Sequence, residues 1–118
     1  MIRAAAVALL LATGAASAQE VAEAPGALLR GLDKISGEAT DIPVKPGQTV
    51  PFGRLLVTLS ECRYPVEDPS SNAFARLSIV DTTSDTEVFA GWMISDSPAL
   101  SALDHQRYDV WVIRCTTS

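Results

Sequence analysis

His105 is the chain's single histidine, and it is the side chain whose ordinary titration range best suits acid–base chemistry near neutrality. Ser95, Ser97, Ser101, Asp104 and Asp109 lie close to it in sequence. A hydrolase built on His105 would need a serine on one ring nitrogen and an orienting carboxylate on the other. Neighbourhood in sequence does not supply that geometry, and no G-x-S-x-G elbow is present. Zinc requires three or four His, Cys or carboxylate ligands, against one histidine and two cysteines here. Glu67 and Asp68 with their neighbouring serines lack the spacing of a calcium loop. No glycine-rich phosphate loop occurs. The residues therefore read as a non-enzyme, with no catalytic, cofactor-binding or metal-binding set, and His105 reads as the C-terminal residue of a short helix.

Two other chemistries remain. Trp92, Tyr108 and Trp111 could form a platform that stacks on a sugar ring, which would make the chain a glycan- or peptidoglycan-binding module. Strand parity argues for a core role instead. Trp92 shares parity with Val88, Ala90 and Ile94, while Trp111 shares it with Ile113 and Cys115. The second chemistry is a protein contact. In "SPALSAL" (97–103), Ser97 suits a helix N-cap and Pro98 the first helical position. Ala99, Leu100, Ala102 and Leu103 then crowd about two turns, which cannot bury every side without a sheet or a partner to cover them. The alternative is a plug for one end of the fold. The candidate interaction surface comprises Trp92, Met93, Ser97, Pro98, Leu100, Leu103, His105, Tyr108 and Trp111.

The elements that would position these residues read as strands. From Ala27 onward, runs rich in Val, Ile, Leu and aromatics alternate with turn residues about every 8 to 12 positions, the cadence of an all-β sandwich or barrel. Strands are expected at 27–35, 39–44, 54–62, 73–81, 87–94 and 108–115. Pro43 assigns the second to an edge. "KPGQ" (45–48) fits a type II turn with Gly47 at positive φ, and "TTSDT" (82–86) fits a hairpin loop. Val110 to Ile113 are apolar on both faces, as in a central strand. The expected architecture is a small antiparallel β-sandwich or barrel-like fold of six to seven strands, with one short helical crossover near 98–104.

The N-terminus sets the compartment. Arg3, the apolar run Ala4–Ala12 and the A-x-A site Ala16-Ser17-Ala18 form the pattern of a secretory signal peptide over 1–18. The apolar run is too short for a membrane span. Residues 19–26 ("QEVAEAPG") read as a disordered acidic tether, and 27–118 as a single β-domain. No cysteine follows the cleavage site before Cys62, which argues against a lipid anchor. With Arg3 removed, eight Lys and Arg face fourteen Asp and Glu. Nucleic acid is a poor partner for so acidic a surface. In an exported domain, two cysteines point to one disulfide, Cys62–Cys115. The chain is thus expected in the periplasm, with no membrane span after cleavage.

"GWMISDSPALSALDHQRYDVWVIRC" (91–115) and "LRGLDKISGEATDIPVKPGQTVPFGRLLVTLSECRY" (29–64) together resemble the bacterial family catalogued as domain of unknown function 2155. The family pattern reads G-W-M, S-P-A-L-x-x-L-[DE]-H, Y-D-V-W-V and a closing cysteine; Gln106 stands where that pattern places proline. The resemblance covers residues 27 to 115 and implies an exported protein of Gram-negative envelopes, with no catalytic residue to carry over. Together these readings describe a non-enzymatic interaction or accessory protein whose partner is another envelope protein.

Overall fold

The computed structural model describes residues 20–117. The signal-peptide reading falls on 1–18 and so lies outside the described residues. Eight antiparallel strands form two sheets packed face to face, without closing into a barrel. In chain order they are β1 (Val21–Glu23), β2 (Gly26–Asp33), β3 (Ala39–Val44), β4 (Thr49–Phe52), β5 (Leu55–Pro65), β6 (Phe74–Asp81), β7 (Thr86–Ile94) and β8 (Tyr108–Thr116). The larger sheet runs β1-β5-β6-β7, with β4 also on β5, and the smaller runs β3-β2-β8.

Two strands exceed the sequence expectation. One is β4, too short to register as a periodic run. The other is β1, inside the segment read as a tether. Its residues Val21, Ala22 and Glu23 face Pro65, Tyr64 and Arg63, and the Ala24 amide donates to the Cys62 carbonyl at 2.7 Å. An acidic, small-residue segment becomes a strand here because the far half of β5 offers it an open edge. Pro25 then ends the pairing, and the chain changes sheets at that corner.

The turns follow local chemistry. Gly47 has φ 82°, and the Gln48 amide donates to the Lys45 carbonyl at 2.9 Å, which closes the type II turn. Leu29, Leu55, Val57, Leu59, Leu77, Ile79, Met93 and Val110 fill the space between the sheets. Gly31 is required by packing, since a Cβ there would stand 2.6 Å from the Phe52 ring that lies over it.

Three irregularities reset which side chains face inward. The β5–β6 register slips at Ser60, so Cys62 follows Leu59 into the core. The slip between β6 and β7 leaves Val88 unpaired, and Phe89, Gly91 and Met93 then face inward. The slip between β2 and β8 leaves Ile113 unpaired, turning Cys115 to the same side as Val110 and Val112. A bulge adds one residue and shifts strand parity by one. With both cysteines inward, Cys62 and Cys115 form a disulfide, Cα–Cα 5.8 Å, that ties β5 of one sheet to β8 of the other.

Candidate functional site

The β7–β8 connection, residues 95–107, crosses from the larger sheet to the smaller along the side where β7 and β8 have no further strand neighbour. It is pinned at both ends. At its start the Ser95 amide donates to the Ala73 carbonyl at 2.9 Å. The Ser95 hydroxyl accepts from the Ala73 amide at 2.8 Å and donates to Asn72 Oδ1 at 3.0 Å. At its end His105 meets Asp81, the last residue of β6, with Nε2 to Oδ2 at 2.8 Å.

The partners of His105 define its role. Its Nδ1 accepts from the Arg107 amide at 3.0 Å and the Tyr108 amide at 3.2 Å. That assigns the proton to Nε2, which donates it to Asp81. Both ring nitrogens are occupied, by two backbone amides and one carboxylate, and the arrangement suits a fastener. The expected helix C-terminal role does not hold, because the 3-10 turn that precedes His105 spans only Pro98–Leu100 and ends well before it.

The fastener sits in a wider polar cluster. Arg107 pairs with Asp33 at the end of β2 at 3.1 Å, and Lys34 Nζ donates to the His105 carbonyl at 2.7 Å. The His105 hydrogen bond, then the Thr83 amide, holds the Asp81 carboxyl below the ordinary 3.8, against an opposing push from burial. Arg107 likewise holds Asp33 low, and Asp33 raises Arg107 in return. Tyr108 lies beneath this cluster, with the Arg54 and Arg107 guanidinium groups 5.8 and 5.2 Å from its ring centre. Gly53, at φ 57°, admits the Tyr108 hydroxyl to a place where a Cβ would be 2.5 Å from it.

Between its pins the connection bows outward, and here the structure corrects the expected two-turn helix. A single 3-10 turn forms over Pro98–Leu100, and Ser97 makes no side-chain cap. Two turns are too few to offset helix nucleation, and Ser101 returns to extended geometry with φ −148° and ψ 95°. The consequence is a separation of the two leucines. Leu103 turns into the core at 5% exposure, whereas Leu100 is 77% exposed.

The expected surface is therefore divided. Met93, Leu103 and Tyr108 are core residues, and His105 is nearly enclosed at 9% side-chain exposure. Pro98 and Leu100 are exposed, and Ser97, Trp92 and Trp111 are half-buried. Neither tryptophan occupies the core that parity assigned it. The bulges at Val88 and Ile113 invert the count, so Trp92 pairs with Arg76 and Trp111 with Arg30 on the outer faces of their sheets. Arg63 lies over the Trp92 ring at 5.4 Å. The expected central position of β8 is corrected as well, since β8 ends its sheet. Ala99 and Ala102, read with Leu100 and Leu103 as needing cover but left out of the candidate surface, line an apolar cleft of about 320 Å³ together with Trp111.

Among the described residues no group of three or more His, Cys, Asp and Glu could hold a metal ion, and no helix is long and apolar enough to cross a membrane. The family described as an uncharacterised protein conserved in bacteria (DUF2155) matches residues 27–115. An uncharacterised protein of Rickettsia prowazekii (strain Madrid E) is 28% identical over 87 residues, covering 71% of this chain and 56% of the relative. The chain thus spans a little over half the length of that curated relative. No solved structure matches.

Proposed function

We propose that this chain, which belongs to the DUF2155 family of uncharacterised bacterial proteins, is an exported, non-enzymatic accessory protein that binds another protein of the cell envelope. Export is supported by the leader pattern of residues 1–18 and by a buried disulfide, a bond that persists in oxidising compartments. The observation that carries the contact is Leu100. It is 77% exposed at the tip of a connection fixed at both ends by Ser95 and His105. A large apolar side chain held outward on a pinned support is already positioned, so binding orders little further chain.

Site-specific photo-crosslinking in cells of the source bacterium tests this reading. A benzoylphenylalanine at position 100 is compared with one at Ile35, also exposed at 75%. The expected result is one envelope protein crosslinked from position 100 and not from 35, which then binds the purified wild type directly and fails to bind Leu100→Asp. Equal crosslinking from both positions, or no direct binding, would overturn the reading.

A glycan-binding role keeps one supporting observation. Trp92 lies on the outer face beside Val21 and Phe74, although Arg63 covers its ring. Titration with soluble peptidoglycan fragments, followed by tryptophan fluorescence, checks it. Quenching lost on Trp92→Ala and kept on Leu100→Asp favours the glycan.

A further inference from the structure

Tyr108, Val110 and Val112 of β8 are buried, and side chains alternate between the faces of a sheet. Asp109 and Trp111 therefore stand together on the outer face of the smaller sheet. The connection presents Pro98, Ala99 and Ala102 beside them, all three exposed. These five residues line the cleft of about 320 Å³, at the small end of the roughly 300–1,000 Å³ usual for ligand-holding cavities. Its outer wall is low because two of those residues are alanines. Leu100, between them in sequence, instead projects outward at 77% exposure. A partner approaching here meets an apolar protrusion and an apolar recess side by side.

Asp109 is the one charged group in the lining. Among the described residues it enters none of the ion pairs. The cations at neighbouring positions are engaged elsewhere. Arg30, cross-strand from Trp111, holds Asp41 at 2.8 Å, and Arg107 holds Asp33 at 3.1 Å. The Asp109 residue is half-buried beside apolar walls, where a charge gains more from an opposite charge than it would in open water.

We infer that this cleft receives a bulky apolar side chain of the partner protein, with a Lys or Arg beside it that pairs with Asp109. The inference rests on the contact surface proposed above and names the chemistry that the surface selects. A sugar would need several hydrogen-bonding groups for its hydroxyls. The side chains of the lining are apolar apart from the Asp109 carboxylate and the Trp111 indole N–H. Asp96 and Asp104 are exposed on the same connection. A second copy of the chain would bring these acids against their own counterparts, whereas a basic flank complements them. A few anchors seated in pockets carry most of the energy of an interface, so the residue entering this cleft decides which partners bind.

Phage-displayed random heptapeptides, selected on the purified disulfide-bonded protein, test the inference. Selection is repeated on Asp109→Lys, which reverses the charge, and on Ala102→Arg, which fills the cleft from an exposed position. Each variant is used after its melting temperature is shown to equal that of wild type. The expected wild-type binders carry a bulky apolar residue next to Lys or Arg. On Asp109→Lys the basic residue should give way to Asp or Glu while the apolar one stays. A synthetic wild-type binder should shift the indole resonance of Trp111. It should weaken at least about tenfold on Ala102→Arg and on Asp109→Asn. Asp109→Asn keeps the shape of the wall, so an analogue with Gln in place of the basic residue should bind it as it binds wild type. Wild-type binders without a basic residue, a selection that Asp109→Lys leaves unchanged, or none enriched over Ala102→Arg would overturn the inference. Self-association of wild type that Ala102→Arg abolishes would also overturn it, by making a second copy the occupant. If position 100 crosslinks a directly binding partner whose affinity is the same for Ala102→Arg and Asp109→Asn, the contact surface stands and the anchor in the cleft falls.

Discussion

The two sheets are fastened to each other near both ends of the sandwich, by different chemistry. At one end a covalent bond joins Cys62 of β5 to Cys115 of β8 within the apolar core. At the other, His105 on the approach to β8 reaches Asp81 at the end of β6 through one hydrogen bond. Arg107, Asp33 and Lys34 brace that contact. The covalent fastener restricts the unfolded chain as well as the folded one. The polar fastener exists only once the chain has folded. It ends in the connection that carries Leu100, so the end of the molecule that responds to pH is the one that holds the proposed contact surface in place.

Breaking the covalent end should produce the largest effect. The disulfide closes a separation of 53 residues, for which chain entropy predicts about 4 kcal/mol. A Cys62→Ala, Cys115→Ala protein should melt roughly 15–30 °C below wild type. Scanning calorimetry of that protein, and of wild type with and without reductant, measures it. A fall of only a few degrees would place most of the inter-sheet attachment at the polar end instead.

Gly53→Ala attacks the polar end sterically. The new methyl would meet the Tyr108 hydroxyl at 2.5 Å, at a backbone φ of 57° that costs an L-residue about 1–2 kcal/mol before any clash is counted. Tyr108 must shift, and the His105 and Arg107 contacts move with it. The variant should fall in melting temperature by less than the disulfide double variant. Its amide resonances should change around His105 while those around Cys62 keep their positions. Changes spread evenly over both ends would show that the fasteners are one cooperative unit.

How much of this was legible before the fold follows from where each determinant lies. The turn at 45–48 is written in four adjacent residues, and the disulfide in the count of cysteines, so both were readable. Parity counting placed Trp92 and Trp111 in the core because it assumes unbroken alternation. The bulges at Val88 and Ile113 are settled by register against a second strand, β6 across a hairpin and β2 far back in the chain, and each reverses a tryptophan. The partnership of His105 with Asp81 spans 24 residues and has no motif. The helix expected at 98–104 was a reading of local preference, and it gave way because Leu103 is drawn into the core while Leu100 is not.

Acid separates the two ends by charge. The folded-state values of Asp81 and Asp33 lie below the ordinary 3.8. Their contribution is therefore complete above the unfolded value, near pH 4, and is lost as pH falls through the folded values. Arg107, shifted upward, adds no change across that window. Wild type should lose stability from about pH 4 downward, and Asp81→Asn should show a shallower decline from a lower starting point. Denaturant titrations from pH 7 to pH 2 measure this. Parallel curves for the two proteins would mean that other carboxylates govern acid sensitivity.

Leu100→Asp should give the smallest effect on folding, and for that reason it isolates the proposed contact surface. Leu100 is 77% exposed, so removing its side chain opens no cavity, and a surface change of this kind falls within about 0.5 kcal/mol. Leu103→Asp, three residues on, would place a charge at a position only 5% exposed and should unfold the polar end. Melting curves of the two variants should diverge accordingly. A Leu100→Asp protein that melts with wild type has kept both fasteners, and any loss of binding to the proposed partner can then be assigned to the tip of the connection. If it melts well below wild type, Leu100 contributes to the fold, and the outward turn at Pro98–Leu100 would no longer be explained by a partner.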